Sequence, residues 1–325
     1  MSFWQSRKVL VTGGCGFIGS YLVEELVAAG AHVTVADNLK YGKLENISSV
    51  IDSVQFIECD VSQLDTCKEV TTDTDVVMNL AAKAYGLEYN MQHHGEMLYY
   101  NSILQLNMLE AARLNDVEKF LVVSSSCVYP DDAFVPTPEL DVATGKPEHG
   151  NEGYGWAKRI AELQATYYYR EYGMEIAIVR PTNAYGGRSP WDENISHVIP
   201  ALVKKVLDGE DPVIVWGSGN QKRNFLHATD VGKIMMLITE HYACAQPVNI
   251  GYEDEISIAD LIKLICDVSG KHPRLIFDKT KPEGRFRKAV DATLLNKVTN
   301  NYQPTISLRQ GIEEMIESYE NTFCK

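Results

Sequence analysis

The 325-residue sequence has no long apolar run, no surplus of positive charge and no paired cysteine motif. No segment approaches the length of a membrane-spanning helix, so a membrane protein is not expected. The formal net charge of −14 argues against a general nucleic-acid-binding protein, because such proteins need a basic surface. The seven cysteines are scattered and odd in number, and none forms a CxxC pair. Neither a disulfide framework nor a zinc site is therefore predicted.

These absences favour a cytoplasmic protein in a reducing compartment. The N-terminal residues lead directly into the apolar stretch KVLVTG, so no targeting segment is expected. Apolar residues make up 45% of the chain, which is enough for a sizeable core. His93 and His94 are adjacent, with no spaced carboxylate beside them, so no metal site is predicted.

Short apolar runs alternate with helical patterns through the first half of the chain. The predicted strands are KVLVTG, HVTVAD, VQFIECD, DVVMNLAA, KFLVVSSS and EIAIVRPT. Apolar strands of this kind are covered on both faces, as in a parallel sheet. The intervening segments, such as FIGSYLVEELVAAG, predict helices. The alternation predicts an α/β fold with a Rossmann-type, doubly wound parallel sheet.

After Thr182 the pattern becomes less regular and indicates a smaller α+β C-terminal lobe. This part contains the helical stretch HVIPALVKKVLDG, the short strand VIVWG and the helical tail SLRQGIEEMIESYENTF. We expect a first domain over residues 1–182 and a second lobe over residues 183–325. Segments near 225–250 are candidates to return to the first domain.

Glycines follow the first predicted strand in VLVTGGCGFIGS, at Gly13, Gly16 and Gly19. Glycine lets the backbone turn tightly and approach a pyrophosphate, and the following helix N-terminus offers free amides to the anion. Asp37 ends the second strand, where a carboxylate accepts hydrogen bonds from ribose hydroxyls and repels a 2′-phosphate. The pattern therefore predicts a dinucleotide cofactor, and it favours NAD over NADP.

Further candidates for the cofactor surface lie in the glycine segment and at the ends of the next strands. They are Phe17, Ile18, Asn38, Asp60, Val61, Leu80, Ala81 and Ala82. Asp60 is placed to lie beside the adenine, although a solvated loop aspartate fits the same position. The small residues in NLAAKA leave room for the dinucleotide to pass close to the fourth strand.

The stretch SSSCVYP ends a buried apolar run in hydroxyl groups and a thiol. Side chains two apart on a strand share a face, which predicts that Ser125 and Cys127 point into one cleft. In YGWAK, Tyr154 and Lys158 lie four residues apart, on one face of a predicted helix. The ammonium and a nicotinamide cation would favour the phenolate, which predicts Tyr154 as a base acting on a hydroxyl that Ser125 holds.

Taken in this order and spacing, TGGCGFIGS, SSSCVYP and YGWAK resemble the extended short-chain dehydrogenase/reductase family, many of whose members act on nucleotide sugars. NISHVIPALVKK, VIVWGSGNQKRNFLHATD and KPEGRFRKAVD resemble segments of its GDP-fucose synthase and GDP-mannose 3,5-epimerase subgroup. The resemblance covers essentially the whole chain. It implies an NAD-binding first domain and a lobe that binds a nucleotide sugar, with a GDP-linked sugar favoured.

The resemblance also implies roles for individual residues. Ser125, Tyr154 and Lys158 match a serine–tyrosine–lysine triad, and Cys127 and His197 match a pair that exchanges protons beside a keto group. Both members of that pair also have plain structural interpretations, as a small packed thiol and a helix cap. The implied substrate-binding residues are Ser126, Asn183, Val198, Trp216, Arg223 and Arg287. The helices near 98–113 and 153–172 pair across a two-fold axis in this family, which implies a homodimer.

Several activities remain open at this point, because function depends on the site rather than the fold. SSSCVYP lacks the acidic pair of a 4,6-dehydratase. The alternatives are an epimerase that oxidises C4 transiently, a synthase-like epimerase/reductase of a 4-keto sugar, and a 4-dehydrogenase. Asp37 favours the NAD-retaining epimerase. A non-catalytic NAD(H)-sensing scaffold is the remaining alternative, and the presence of both Tyr154 and Lys158 argues against it.

Overall fold

The structure is a computed structural model that describes residues 2–192, 195–281 and 284–323. Three residues of the segments quoted above, Asn194, Pro282 and Glu283, lie outside these ranges, as does Cys324, the last of the seven cysteines. Within the described ranges no helix is both long enough and apolar enough to cross a membrane.

Strands and helices alternate along the first half of the chain, as the apolar pattern predicts. The strands are β1 (Lys8–Thr12), β2 (His32–Asp37), β3 (Val54–Glu58), β4 (Val76–Asn79), β5 (Lys119–Val123), β6 (Glu175–Pro181), β7 (Asn183–Tyr185), β8 (Val213–Trp216), β9 (Lys222–Arg223), β10 (Phe225–His227), β11 (Cys244–Ile250), β12 (Ile256–Ser257) and β13 (Leu275–Asp278). The helices are α1 (Phe17–Ala28), α2 (Leu64–Val70), α3 (Leu87–Gln92), α4 (His94–Leu114), α5 (Glu152–Tyr172), α6 (Val198–Leu207), α7 (Ala228–His241), α8 (Ile258–Ser269), α9 (Thr293–Val298) and α10 (Leu308–Phe323).

The main sheet has seven parallel strands in the order β11-β6-β5-β4-β1-β2-β3. Helices α1 and α7 pack together on one face, where Leu22 and Ile234 belong to one apolar core. Helices α4 and α5 cover the other face, where Met108 and Ala161 belong to a second core. Both faces are therefore buried, which explains the uninterrupted apolar strands. The predicted fold class is confirmed.

The strand order reverses between β1 and β4. In an open α/β sheet, a crevice forms at such a switch point, outside the carboxyl ends of the strands. The segments that follow β1, β2, β4 and β5 all leave the sheet at this edge. The topology therefore brings together the residues predicted at the ends of these strands.

The second lobe has its own apolar core, built from α6, α8 and α10 around the parallel pair β8 and β13. Val203, Ile262 and Met315 are buried in this core. Two further short pairs are formed by β7 with β10, which are parallel, and by β9 with β12, which are antiparallel.

Strand β11 returns the chain to the edge of the main sheet beside β6, after α7 has packed against α1. The sequence pattern did not identify this strand. Its register shifts between Cys244 and Pro247, and Ala245 has a positive φ of 53°. Proline and bulges are tolerated at sheet edges, and they interrupt the apolar run that marks a strand.

Candidate functional site

A cleft of about 1840 Å³ runs along the carboxyl edge of the main sheet and on to the second lobe. Of the residues proposed above for the site, the following line it: Gly13, Gly16, Phe17, Ile18, Gly19, Asp37, Asn38, Asp60, Val61, Leu80, Ala81, Ala82, Ser125, Ser126, Cys127, Tyr154, Lys158, Asn183, His197, Val198, Trp216 and Arg223. Arg287 does not line this cleft. The structure therefore brings together residues that lie more than 200 positions apart in the sequence.

The glycine-rich turn after β1 leaves no room for side chains. Gly13 has a φ of +66°, and a Cβ there would come within 2.9 Å of the Ala81 amide nitrogen. A Cβ on Gly19 would collide with the Gly13 carbonyl oxygen. Gly16 caps α1 without any side-chain hydrogen bond, so the first amides of this helix stay open toward the cleft. This arrangement fits a pyrophosphate bound at the helix N-terminus.

Asp37 lies at the end of β2 and is 7% exposed. Its Oδ2 accepts a hydrogen bond from the Cys15 amide at 3.0 Å, and its Oδ1 accepts one from the Leu39 amide at 2.9 Å. Burial raises the pKa of this carboxyl, and the backbone amides oppose the shift. Each carboxylate oxygen keeps further acceptor capacity for a ribose hydroxyl. Lys40 and Lys43 also line this end of the cleft.

The segment after β4 is held against the glycine turn by a buried hydroxyl. Thr12 Oγ1 donates to Asn79 Oδ1 at 2.6 Å and accepts a hydrogen bond from the Ala81 amide at 3.1 Å. This bond positions Ala81 close to Gly13. The glycine turn, the open helix N-terminus and the carboxylate of Asp37 together fit a dinucleotide such as NAD.

Strand β5 ends at Val123, four residues before Cys127, which the strand-face argument places on the same strand as Ser125. The expectation that Ser125 and Cys127 are strand neighbours is wrong, because Ser126–Val128 form a turn of 3₁₀ helix. Ser125 Oγ caps this turn by accepting a hydrogen bond from the Cys127 amide at 3.1 Å. The capping bond competes with continued extension, since serine side chains readily bond to nearby backbone amides. Both side chains still reach the cleft.

Helix α5 presents Tyr154 and Lys158 on its cleft side. Lys158 Nζ donates a hydrogen bond to the Val123 carbonyl oxygen at 2.8 Å and lies 5.4 Å from the centroid of the Tyr154 ring. Burial lowers the pKa of Lys158 to about 8, and the charge of Glu162 opposes this shift. The ammonium is therefore positioned beside the phenol, stays mostly protonated at neutral pH and loses its proton as the pH rises through about 8.

In the protein alone, the Tyr154 phenol is harder to ionise than the sequence predicts. Burial raises its pKa, and the neighbouring Cys127 thiol adds to the shift. A phenolate here requires a positive charge besides Lys158, such as the one a nicotinamide ring carries when it is bound.

Cys127 and His197 lie on the walls of the same cleft, with the ion pair between Lys288 and Glu148 nearby. Burial, together with the charge of Glu148, raises the pKa of the Cys127 thiol to about 11. Desolvation and the charge of Lys288 lower the pKa of the His197 imidazole. In the resting protein at neutral pH, the cysteine is therefore a thiol and the histidine a neutral base.

Sequence reasoning missed Glu148 and Lys288. Glu148 lies in an irregular segment between β5 and α5, with no pattern that links it to the site. Lys288 follows Arg287, which the resemblance selected instead. Neighbouring residues of an extended segment point to opposite sides. Lys288 lines the cleft, whereas Arg287 lines a separate depression and its Nε donates to Glu255 Oε2 at 2.7 Å.

The second lobe supplies the far end of the cleft. Asn183 Nδ2 donates to the Asn224 carbonyl oxygen at 3.0 Å, which fixes the amide at the junction of the lobes. Trp216 is 37% exposed, and Lys281 Nζ lies 5.3 Å from the centroid of its ring. Arg223 Nη1 donates to the Lys222 carbonyl oxygen at 2.7 Å. An aromatic face with nearby cations suits a base and its diphosphate.

The part of the chain that the structure describes contains no group of three or more histidine, cysteine or acidic residues arranged to hold a metal ion. Its cysteines, Cys15, Cys59, Cys67, Cys127, Cys244 and Cys266, are all free thiols.

Comparisons with known proteins agree with this geometry. The family model for NAD-dependent epimerases/dehydratases matches residues 9–251. A GDP-L-fucose synthase of Sinorhizobium fredii is 32% identical over 98% of this chain and 97% of its own. A GDP-mannose 3,5-epimerase 1 of Oryza sativa is 29% identical over 95% of this chain and 81% of its own. The crystal structure of a UDP-glucose 4-epimerase of Thermotoga maritima with UDP-glucose has a TM-score of 0.85 and 27% identity, covering 97% of this chain and 99% of its own.

Proposed function

Because the chain belongs to the NAD-dependent epimerase/dehydratase family, we propose that it is an epimerase of GDP-linked sugars that acts by transient oxidation at C4. The observation that carries the proposal is the meeting of Ser125, Tyr154, Lys158, Cys127 and His197 in one cleft. The relatives named for GDP-sugars match over nearly the whole chain, which supports a GDP-linked substrate.

The glycine turn after β1 and the Asp37 carboxylate would hold NAD, which when bound would supply a reversible acceptor for the C4 hydrogen of the sugar as hydride. Ser125 Oγ orients the C4 hydroxyl, and Tyr154 takes the hydroxyl proton as the ketone forms. Lys158, fixed by the Val123 carbonyl, favours the phenolate of Tyr154 through its charge. Tyr154 and Lys158 are buried away from bulk water, and this burial strengthens the electrostatic interaction between them.

A ketone at C4 makes the hydrogens on C3 and C5 acidic. Cys127 and His197 are the two cleft groups that can exchange protons at these carbons, one accepting while the other donates. Both residues line the cleft that would hold the pyranose ring. Inversion at C3 or C5 therefore depends on both residues, whereas inversion at C4 depends on neither.

The cofactor is proposed to be NAD, with NADP less favoured. Asp37 is a negative group at the position of the adenosine ribose, and it would repel a 2′-phosphate. Lys40 and Lys43 also lie on this part of the cleft wall, and their positive charges would attract a 2′-phosphate. The preference for NAD over NADP therefore rests on the Asp37 carboxylate alone.

The test is incubation of the purified protein with NAD and GDP-mannose in deuterated water. We expect deuterium at C3 or C5, detected by mass spectrometry and NMR, and loss of this label in Cys127→Ser and His197→Asn. Inversion at C4 without label would assign the protein as a simple 4-epimerase. Absence of both, with turnover of UDP-glucose, would contradict the proposed substrate.

A synthase-like epimerase/reductase is the second candidate, because the relative from Sinorhizobium fredii carries that name. It would consume NADPH and a GDP-linked 4-keto sugar in equal amounts. A steady loss of reduced-nicotinamide absorbance would identify this activity. The epimerase instead leaves the amount of oxidised cofactor unchanged after many turnovers.

We also propose that the protein is a homodimer formed through α4 and α5. These helices pack against each other and expose large apolar side chains at Leu98, Tyr99, Leu163, Tyr167 and Tyr169. Several large exposed apolar side chains on two packed helices favour an interaction site there. A two-fold axis would bring the same face of two copies together.

A further inference from the structure

Helix α5 packs one of its faces against the 3₁₀ turn that follows β5. This face consists of the buried residues Gly155, Lys158, Arg159 and Glu162, whose spacing of three and four positions places them on one side of a helix. A Cβ on Gly155 would come within 2.7 Å of the Cys127 carbonyl oxygen. The backbone of the helix and the backbone of the turn are therefore in direct contact.

Lys158 and Glu162 hold the chain just before the turn. Lys158 Nζ donates to the Val123 carbonyl oxygen at 2.8 Å, and the Ser124 hydroxyl donates to Glu162 Oε1. Glu162 is itself fixed by Arg180 of β6, whose Nε donates to Oε1 at 2.9 Å and whose Nη2 donates to Oε2 at 2.6 Å. These bonds fix the chain on the β5 side of the turn, up to Ser124.

Arg159 holds the other end of the turn. Its Nε and Nη2 both donate to the carbonyl oxygen of Val128, the last residue of the turn, at 3.0 and 2.6 Å. Nη2 also donates to the Thr144 carbonyl oxygen at 2.8 Å, and Nη1 donates to the Gly145 carbonyl oxygen at 2.7 Å. A guanidinium has five N–H groups, and these bonds occupy four of them. Arg159 therefore joins the turn to the loop that precedes α5.

The burial of this guanidinium is informative. Arg159 is 2% exposed, and the partners of its hydrogen bonds are backbone carbonyls. Burial of a charged group is unfavourable unless hydrogen bonds replace its hydration. An apolar side chain would fill the same volume without this cost, but it would not hold the Val128 carbonyl. Packing alone therefore does not account for an arginine at this position.

We propose that Arg159 is a positioning residue for hydride transfer, because its hold on Val128 fixes the Ser125 hydroxyl where it orients the C4 hydroxyl of the sugar. This inference rests on the proposed function. Ser125 begins the turn, and its carbonyl oxygen and Oγ accept hydrogen bonds from the Val128 and Cys127 amides, at 3.2 and 3.1 Å. A displacement of Val128 is therefore transmitted to Ser125. Arg159 itself does not line the cleft.

The first test needs no substrate. Hydrogen–deuterium exchange, read by mass spectrometry, follows the peptide in which the Cys127, Val128 and Tyr129 amides are hydrogen-bonded within the turn. Arg159→Lys keeps the charge, but an ammonium does not reproduce the rigid fork of N–H groups that holds three carbonyls. We expect exchange in this peptide to become about tenfold faster in Arg159→Lys, with unchanged exchange in α7. Unchanged exchange in the turn peptide would overturn the proposal.

The second test is a double-mutant cycle on hydride transfer. Reduction of bound NAD by GDP-mannose is followed in a single turnover by the absorbance of the reduced nicotinamide. We expect Arg159→Lys to slow this step by roughly 10- to 100-fold in the parent, because a small misplacement of an orienting group is costly. In Ser125→Ala the same substitution should slow the step by less than about twofold, because the group through which Arg159 acts is absent. The affinity of Arg159→Lys for NAD should stay within about twofold of the parent.

Arg170→Lys, on the exposed last turn of α5, is the matched control and should change neither the exchange nor the rate. An equal loss of rate in the parent and in Ser125→Ala would assign Arg159 a general role in stability and overturn the proposal. If Arg159→Lys does not fold, Arg159→Gln, which removes the buried charge and keeps two N–H donors, takes its place in both tests. A parent that does not reduce NAD with GDP-mannose contradicts the proposed function, whereas the exchange experiment still decides whether Arg159 holds the turn.

Discussion

Lys158 donates its hydrogen bond to the carbonyl oxygen of Val123, at a distance of 2.8 Å, so α5 is attached to the last residue of β5. This bond uses one of the three ammonium protons and leaves two for other acceptors. It also explains how a helix residue and a strand end, 35 positions apart, keep a constant separation.

The first prediction concerns pH. Burial lowers the pKa of Lys158 to about 8, so the fraction of charged ammonium falls as the pH rises through that value. Since the charge favours the Tyr154 phenolate, hydride transfer should decline above a pH of about 8. Lys158→Met should lower the rate by about 100-fold or more and lose this alkaline limb.

The measurement is single-turnover appearance of reduced-nicotinamide absorbance across the pH range. Lys263, a solvent-exposed lysine on α8, provides the matched control as Lys263→Met. An alkaline limb that persists unchanged in Lys158→Met would assign it to another group.

The second prediction concerns the glycine turn. A Cβ on Gly19 would collide with the Gly13 carbonyl oxygen, so Gly19→Ala should push the turn out of place and weaken NAD binding by about tenfold or more. Gly95, in the first turn of α4, has open space where a Cβ would lie, with no atom within 4 Å, and it provides the control as Gly95→Ala. Calorimetric titration with NAD measures the effect, and equal affinities in the two variants would contradict it.

The third prediction concerns the choice of cofactor. Asp37→Asn removes the negative charge yet keeps an oxygen that accepts the hydrogen bond of the Cys15 amide. The affinity for NADP relative to NAD should therefore rise by about tenfold or more. Asp52→Asn, an exposed aspartate outside the cleft, should leave the ratio unchanged. Parallel titrations with both dinucleotides test this expectation, and an unaltered ratio in Asp37→Asn would remove the basis for preferring NAD.

The fourth prediction concerns assembly. Tyr167 is 52% exposed on α5, where a second copy would bury it. Tyr167→Glu places a charge in that contact and should shift the protein toward monomer, as measured by light scattering after size exclusion. Ile276 on β13 is 46% exposed on a different lobe, and Ile276→Glu should not change the mass. A parent that is already monomeric at micromolar concentration would refute the proposed dimer.

The main sheet was predictable because both of its faces are buried. Such strands consist of plain apolar runs, and β1 through β6 were located from these runs. Strand β11 escaped because its edge position tolerates Pro247 and an irregular register, which break the apolar run. Local sequence carries little information about pairing with a strand that lies far away in the chain.

The glycine turn and the pair on α5 were predictable because each depends on short-range geometry. The environment of Cys127 was not. Ser125 caps a turn there instead of extending the strand, and Glu148 and Lys288 approach from segments 140 positions apart. The pKa of Tyr154 likewise depends on burial by the whole cleft, which a helical spacing of four residues does not report.

The return of the chain through α7 and β11 has a consequence for protein engineering. Because the polypeptide leaves the main sheet after β6 and rejoins it at β11, neither half can be exchanged with a relative as one continuous cassette. A chimera that changes the sugar specificity must graft at least two separate stretches, one on each side of this excursion.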